Sequence, residues 1–499
     1  MSESLINTVF KETLDYLEEM PKTKRKAIGQ FFTSAETAIY MASMFSYPKK
    51  ENLSILDPGS GSGILTAAVV DRLQSVPLVK HIQITCYETS KDVLPILKKN
   101  LEYIKNSSSI LVDYEVIEEN YITSQSDDFN DTFRTNSDSL KFDLVISNPP
   151  YKKIMKNAVE ATSMPSLCHG APNLYFLFTA MGLFNLDKNG EMVFIIPRSW
   201  TSGVYFQKFR NYLFETGTLK QIHLFVSRDK VFEKESVLQE IIIIKMDKSG
   251  KRDSVKITCS NSNSDFDNIS SIEIPYSDIV VGPEKYVYLV TSDEELNVLQ
   301  TFGRWKKNTL PSIGLKMKTG LTVDFRSREY LRNEPENETV PLLYPQHIKE
   351  GHVVFPAQRK FEYITTDKKG LLQRNKNYLI VKRFTTKEEK RRLQCGIYLS
   401  SDFPEYNQIS TQNKVNFIEG IDFDMNKEQV YGLYVLFNST IYDQYYRILN
   451  GSTQVNSTEV NAMPVPTLSE IEYLGSKLEQ RNSLSVDVCD EILGGLINE

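Results

Sequence analysis

The segment Ile55-Leu56-Asp57-Pro58-Gly59-Ser60-Gly61-Ser62-Gly63 limits the fold more narrowly than any other part of the chain. A strand-like apolar run, Asn52–Leu56, enters it, and a helical run, Ile64–Leu73, leaves it. Glycines at alternate positions let the backbone turn tightly and approach a ligand closely. The rhythm then repeats. His81–Tyr87 reads as a strand, Val93–Ile104 as a helix, Phe142–Ile146 as a strand and Leu174–Leu186 as a helix. Glu191–Ile196 and Glu240–Met246 read as further strands. This alternation predicts an α/β domain with a mainly parallel, doubly wound sheet. Asp247–Ser271 is polar and rich in Ser, Asp and Asn, which suits a domain edge or linker. After about Trp305 the βαβ rhythm gives way to short β-rich runs with aromatic and basic residues, and Thr467–Glu499 reads as helical.

The 499 residues are too many for one core and suggest two or three domains. No apolar stretch approaches the roughly 18 residues of a membrane span. The polar, amphipathic N-terminus does not read as a signal peptide. The five cysteines form no C-x-x-C pair and the five histidines show no metal spacing, so we expect a reduced cytoplasmic protein without a structural metal. The net charge of -6 argues mildly against nucleic acid, but global charge is a poor guide to a local basic face. Residues 360–392 hold eleven basic and four acidic residues.

Two acids refine the reading of the glycine loop. Asp57 opens the loop, where an acid suits a cationic amino group better than a pyrophosphate. The second strand ends in Tyr87-Glu88, where an acid can accept from ribose hydroxyls. Together they suggest adenosine with a positively charged tail, as in S-adenosylmethionine. A third signal is Ser147-Asn148-Pro149-Pro150-Tyr151, at the exit of the strand Phe142–Ile146. The two prolines stop the strand and hold the preceding groups rigidly. The amino group of adenine is a poor nucleophile because its lone pair is delocalised into the ring. The Asn148 oxygen and the Pro149 carbonyl can accept its two hydrogens and localise that lone pair, without a charged base. The base must leave the duplex stack first, and Tyr151 offers it an aromatic face.

The order Gly29-Gln30-Phe31-Phe32-Thr33, then Asp57–Gly63, then Asn148–Tyr151 resembles the gamma-class, NPPY-type (TaqI-like) adenine-N6 DNA methyltransferases of type II restriction–modification systems. The resemblance implies a Rossmann-like methyltransferase domain (α/β) and a C-terminal mixed α/β target-recognition domain. It implies a helical segment over 1–30, the catalytic domain over 31–300, and target recognition with a helical tail over 301–499. Thr33 is then expected to contact the methionine carboxylate of S-adenosylmethionine. Asp57, Gly59 and Gly61 would hold the methionine moiety, and Glu88 the ribose. Asn120-Tyr121 falls where the family has an acid and an aromatic beside the cofactor adenine; this chain has Asn in place of the acid. Asn148 and Pro149 match the acceptors, Tyr151 the stacking ring, and Phe232 a second aromatic against the extruded base. Strings from Gly314 to Arg326 and from Tyr446 to Asn456 resemble the target-recognition region. Within that half, Lys382, Arg383, Arg391 and Arg392 are expected to face DNA phosphates.

The expected partner is double-stranded DNA, with a separate cognate restriction endonuclease, because Glu388-Glu389-Lys390 lacks the preceding Pro-Asp of a nuclease site. The main alternative is a protein glutamine N5-methyltransferase, which shares the NPPY string but resembles a shorter chain.

Overall fold

The computed structural model describes residues 4–19, 21, 32–131, 140–225, 241–262, 266–386, 389–449, 454–481 and 483–498. Two compact units divide after Thr291. The division falls ahead of the expected 300/301 boundary. Ser292 caps the helix Asp293–Thr301 by accepting from the Glu295 amide (3.3 Å), so that helix begins the second unit.

The first unit is built on one nine-stranded sheet. Its strands are β1 (Asn52–Pro58), β2 (His81–Tyr87), β3 (Leu111–Ile117), β4 (Phe142–Ser147), β5 (Leu186–Pro197), β6 (Thr218–Phe225), β7 (Ile241–Asp247), β8 (Ser254–Ser260) and β9 (Ser270–Pro275). The order across the sheet is β3-β2-β1-β4-β5-β7-β6-β8-β9. Strands β1 to β5 run parallel to one another, while β7 is antiparallel to both β5 and β6. The direction of winding reverses between β1 and β4. In open α/β sheets that switch point leaves a crevice at the carboxyl ends of the strands.

Alternation along the strands sends one set of side chains to each face. Ile55, Ile84, Leu144, Ile146, Val193 and Ile195 join one core with residues of the helices Leu5–Glu19, Ala35–Ser43, Ile64–Gln74 and Leu94–Ser107. On the other face the helix Leu174–Phe184 brings Gly182 against Phe194 and Met192. The helix Leu5–Glu19 is an integral layer of this unit. Its first turn is capped by Asp71, which accepts from the Leu5 and Ile6 amides (3.1 and 2.9 Å).

Three sequence readings need correction or narrowing. The helix expected to reach Leu186 stops at Phe184, because Leu186 already starts β5. Of the two readings of Asp247–Ser271, domain edge and linker, the edge holds: the stretch contributes β8 and the start of β9, the last strands in the sheet order. Its alternate residues Val255, Ile257 and Cys259 are buried, a period that the flanking Ser, Asp and Asn residues obscured. The strand Leu111–Ile117 was not anticipated, since only Val112 of its residues is buried.

The second unit holds a six-stranded and a five-stranded sheet, with helices that include Lys427–Asn438, Thr440–Leu449, Leu468–Glu479 and Val486–Asn498. Lys427–Asn438 and Leu468–Glu479 approach so closely that glycine is required on both. A methyl group added at Gly432 would lie 1.8 Å from the Ile471 carbonyl oxygen, and one at Gly475 would lie 1.8 Å from that of Glu428. By helix propensity alone, Gly432→Ala would stabilise the chain by about 1 kcal/mol. We predict the opposite sign, a loss of about 3 kcal/mol read by denaturant unfolding, because the backbone itself must move. A stability gain would contradict this packing.

Candidate active site

The carboxyl ends of β1 and β4 lie side by side, with Ile55 paired to Leu144 and Leu56 to Val145. The Ser147 hydroxyl donates to the Pro58 carbonyl (2.7 Å) and ties the two exits together. Gly59, Gly61 and Gly63 all have positive φ, at 73°, 55° and 83°. Side chains would be strained at all three positions, so the sequence needs glycine there. The turn is fixed to β2 by the Gly59 and Ser60 amides, which donate to the Tyr87 carbonyl (2.8 and 3.0 Å).

A cavity of about 250 Å³ opens at this switch point. Gly59, Gly61, Glu88, Asn120, Tyr121 and Asn148 line it together. Phe32, Tyr87, Pro150, Lys152, Glu160, Leu174 and Phe178 are also in its wall. Lys152, Glu160 and Phe178 escaped sequence reading, since their types match ordinary core or surface positions. Position just past Asn-Pro-Pro-Tyr was the only signal for Lys152. Tyr87, Tyr121 and Phe178 form an aromatic wall, with ring centroids 4.9 and 5.3 Å apart in successive pairs. The Tyr121 hydroxyl is anchored on Asn185 Oδ1 (2.8 Å).

Asp57 is fully buried at the start of the loop. Its Oδ2 accepts from the Thr66 hydroxyl (2.8 Å), whereas Oδ1 has no hydrogen-bond partner among the described residues. Burial pushes this carboxyl up to about 7; the charge of Glu88 adds to the shift and the Thr66 bond opposes it. An orphaned buried acceptor is costly, and a cationic amino group is the partner that would relieve it. Glu88 is also buried and raised by desolvation. Its Oε1 accepts from the Thr89 and Ser90 amides, and its Oε2 from the Gly61 amide (3.1 Å). A carboxylate oxygen has two lone pairs, so Oε2 retains capacity for one ligand hydroxyl.

Asn120 lines the cavity in a particular role. Its Oδ1 accepts from the Ile122 and Thr123 amides, and its Nδ2 donates to Glu160 Oε1 (3.0 Å). An aspartate could make the turn but not the donation to Glu160, which accounts for the amide at this position.

The Asn148 carboxamide is held at both ends. Its Nδ2 donates to the Thr33 hydroxyl (3.1 Å), and its Oδ1 accepts from the Tyr151 hydroxyl (2.9 Å). The Tyr151 hydroxyl also lies 3.0 Å from the Ile195 carbonyl. The Tyr151 ring is half-buried against the core and edge-on to Tyr175 at 6.4 Å. Thr33 is buried and bonded to Asn148, while Phe32 and Pro150 lie in the cavity wall; Pro149 is buried. Gly29, Gln30, Phe31 and Phe232 lie outside the described residues.

The cations expected to face DNA are engaged within the second unit. Lys382 donates to Gln394 Oε1 (2.8 Å) and Arg383 to the Asn413 carbonyl (3.0 Å). Arg391 donates to the Ser439 carbonyl (2.8 Å), at the end of the helix Lys427–Asn438. Arg392 is fully buried, with its guanidinium 5.5 Å from the Tyr446 ring centroid. Burial corrects the expectation for Arg392 alone, since a charge count registers sign but not direction; Lys382, Arg383 and Arg391 are half-buried. Among the described residues, no cluster of three or more His, Cys, Asp or Glu is placed to hold a metal. None of the helices among them is long and apolar enough to cross a membrane.

A doubly wound sheet with an antiparallel seventh strand beside the fifth, and a glycine loop adjoining Asn-Pro-Pro-Tyr, defines a Rossmann-like methyltransferase. The comparisons give the family. Residues 65–232 match the Eco57I restriction-modification methylase model. The type II methyltransferase M.BsuBI of Bacillus subtilis is 35% identical over 94% of this chain and 94% of its own length. The type II methyltransferase M.PstI of Providencia stuartii is 32% identical over 92% of this chain and 91% of its own. The chain belongs to this family of type II restriction–modification methyltransferases. Among solved structures, the type IIG restriction endonuclease BpuSI overlays 93% of this chain and 61% of its own, at 12% identity and TM-score 0.44.

The raised carboxyl of Asp57 makes a pH prediction. Its folded value, about 7, lies above the ordinary 3.8, so the folded chain holds the extra proton between them. That part of stability is present at acid pH and is lost as pH rises from about 4 to about 7. Denaturation midpoints of the wild type should therefore fall more steeply over this range than those of Asp57→Asn. Parallel profiles would contradict the assignment.

Proposed function

We propose that this type II methyltransferase is a site-specific DNA adenine-N6 methyltransferase. The observation that carries the reading is that the glycine loop, the strand-end acid Glu88 and Asn148 line one cavity. The orphaned Oδ1 of Asp57 fits the amino group of S-adenosylmethionine. Asp57 and the glycine loop would hold its methionine part, Glu88 its ribose, and the Tyr121–Phe178 wall its adenine. When bound, the cofactor supplies an activated methyl group.

The chain's own residues do the rest. Thr33 and Tyr151 hold the Asn148 carboxamide, so little orientational freedom remains to be lost when a base arrives. A carboxamide oxygen has two lone pairs, so the Asn148 oxygen can accept an amino hydrogen of the target base as well as the Tyr151 hydroxyl. The Pro149 carbonyl is proposed as the second acceptor. The burial that raises Tyr151 and Tyr175 also excludes water, which strengthens such contacts. Asn148 in the first position of the string favours adenine over cytosine-N4 chemistry. DNA is favoured over a protein amide because the likeness to type II methyltransferases continues through the second unit. A cognate restriction endonuclease is the functional counterpart that such a role implies.

Asn148→Ala should reduce methyl transfer to DNA by at least about 100-fold while leaving the affinity for S-adenosylmethionine within about 3-fold of wild type. Labelled-cofactor transfer and calorimetry measure the two quantities. Retention of transfer would remove Asn148 from the chemistry. Loss of both would make it a cofactor or folding residue.

A further inference from the structure

In the second unit the short strand Tyr363–Ile364 lies between Leu331–Arg332 and Val340–Leu343. The segment leading into it, Phe355–Phe361, is not glycine-rich, yet two of its residues have left-handed backbone. Gln358 has φ +58° and Phe361 has φ +61°. Such conformations persist only where the surroundings fix them, and they concentrate at ligand-contacting segments.

The fixing groups are identifiable. Glu362 is buried and accepts from the Ala357 amide (2.9 Å). It lies 3.2 Å from Nε2 of His347, which is fully buried and whose Nδ1 accepts from the Tyr344 amide (2.8 Å). The Tyr344 hydroxyl donates to the Phe361 carbonyl (2.9 Å), and the Phe361 amide donates to Asn333 Oδ1 (3.1 Å). The Arg359 guanidinium stacks 3.3 Å from the centre of the Tyr344 ring. The loop is thus tied at Ala357, Arg359 and Phe361, and the residues between the ties, Gln358 and Lys360, are exposed.

A second surface segment joins it. Gln412 donates from its amide to the Leu343 carbonyl (2.9 Å), and from Nε2 to Asp324 Oδ1 (2.6 Å). This places the turn Asp324–Arg326 beside the end of the strand Val340–Leu343, which Tyr344 directly follows. On that turn Phe325 is 78% exposed and Arg326 is exposed. A rigid backbone thereby presents an amide, two cations and an aromatic ring to solvent.

The geometry points to the loop Ala357–Phe361 as a base-reading element for double-stranded DNA, with Gln358 on a base edge and Lys360 and Arg326 alongside. The inference rests on the DNA reading above and goes beyond it by naming the side chains. A glutamine carboxamide can pair with the two major-groove groups of adenine, and lysine or arginine with those of guanine. Discrimination of this kind needs a pre-set backbone, because a mobile loop would re-pair with a wrong base. Arg392, corrected above, is buried and does not compete for this role.

The test compares wild type with Gln358→Ala, Lys360→Ala and Gln358→Ala/Lys360→Ala on genomic DNA, by sequencing that detects modified bases. Melting temperature and S-adenosylmethionine affinity serve as folding controls. These side chains are exposed, so both should match wild type. We expect Gln358→Ala to lower discrimination at one base pair of the site by roughly 10-fold or more, so that sites differing only there become methylated. An unchanged set of methylated sites in all variants, with wild type active, would overturn the inference and leave the DNA reading intact. A uniform loss across all sequences with a shallower salt dependence would also overturn it, because the loop would then contact phosphates only. Wild type that modifies no DNA would overturn both.

Discussion

The site depends on two parallel strands, β1 and β4, ending together at the point where the sheet reverses its winding. Their register sets the glycine loop beside Asn148, and the bond from Ser147 to the Pro58 carbonyl holds the two exits in place. Everything chemical follows from that juxtaposition. The loop needs positive φ at Gly59, Gly61 and Gly63, and the prolines end β4 abruptly. Neither motif would form a site if the strands were separated by a third.

The polar groups around this junction are few and mostly committed. Asn148 bonds to Thr33 at one end and to Tyr151 at the other, so two stretches of sequence more than a hundred positions apart meet in one carboxamide. Asp57 differs: its Oδ1 has no hydrogen-bond partner among the described residues. A buried acceptor without a donor is destabilising, and a site built to receive a cation tolerates that cost.

Much of this was legible in the sequence, for identifiable reasons. Strand β2 and the cores of β1, β4 and β7 are short apolar runs bounded by turn residues, and local pattern decides such runs. Gly59, Gly61, Glu88 and Asn148 sit at strand exits, where order along the chain predicts meeting in space. Residues that meet through packing were not legible: Phe178 looks like core, and the role of Asn120 depends on Glu160, forty positions away. The strands β8 and β9 were hidden by polar flanks. The basic stretch misled for a different reason. Arg391 and Arg392 satisfy interior groups, and no count of charges reveals which way a side chain points. The loop at Gln358 carries no motif at all, because its conformation is imposed by Glu362, His347 and Tyr344.

The central claim is that Asn148, held beside a cofactor cavity, directs a methyl group to the amino group of adenine in DNA. Mass spectrometry of nucleosides from DNA treated with the protein and isotopically labelled S-adenosylmethionine tests it most directly. The account predicts labelled N6-methyldeoxyadenosine as the product. Labelled N4-methyldeoxycytidine, or label recovered on glutamine in protein with none in DNA, would contradict it.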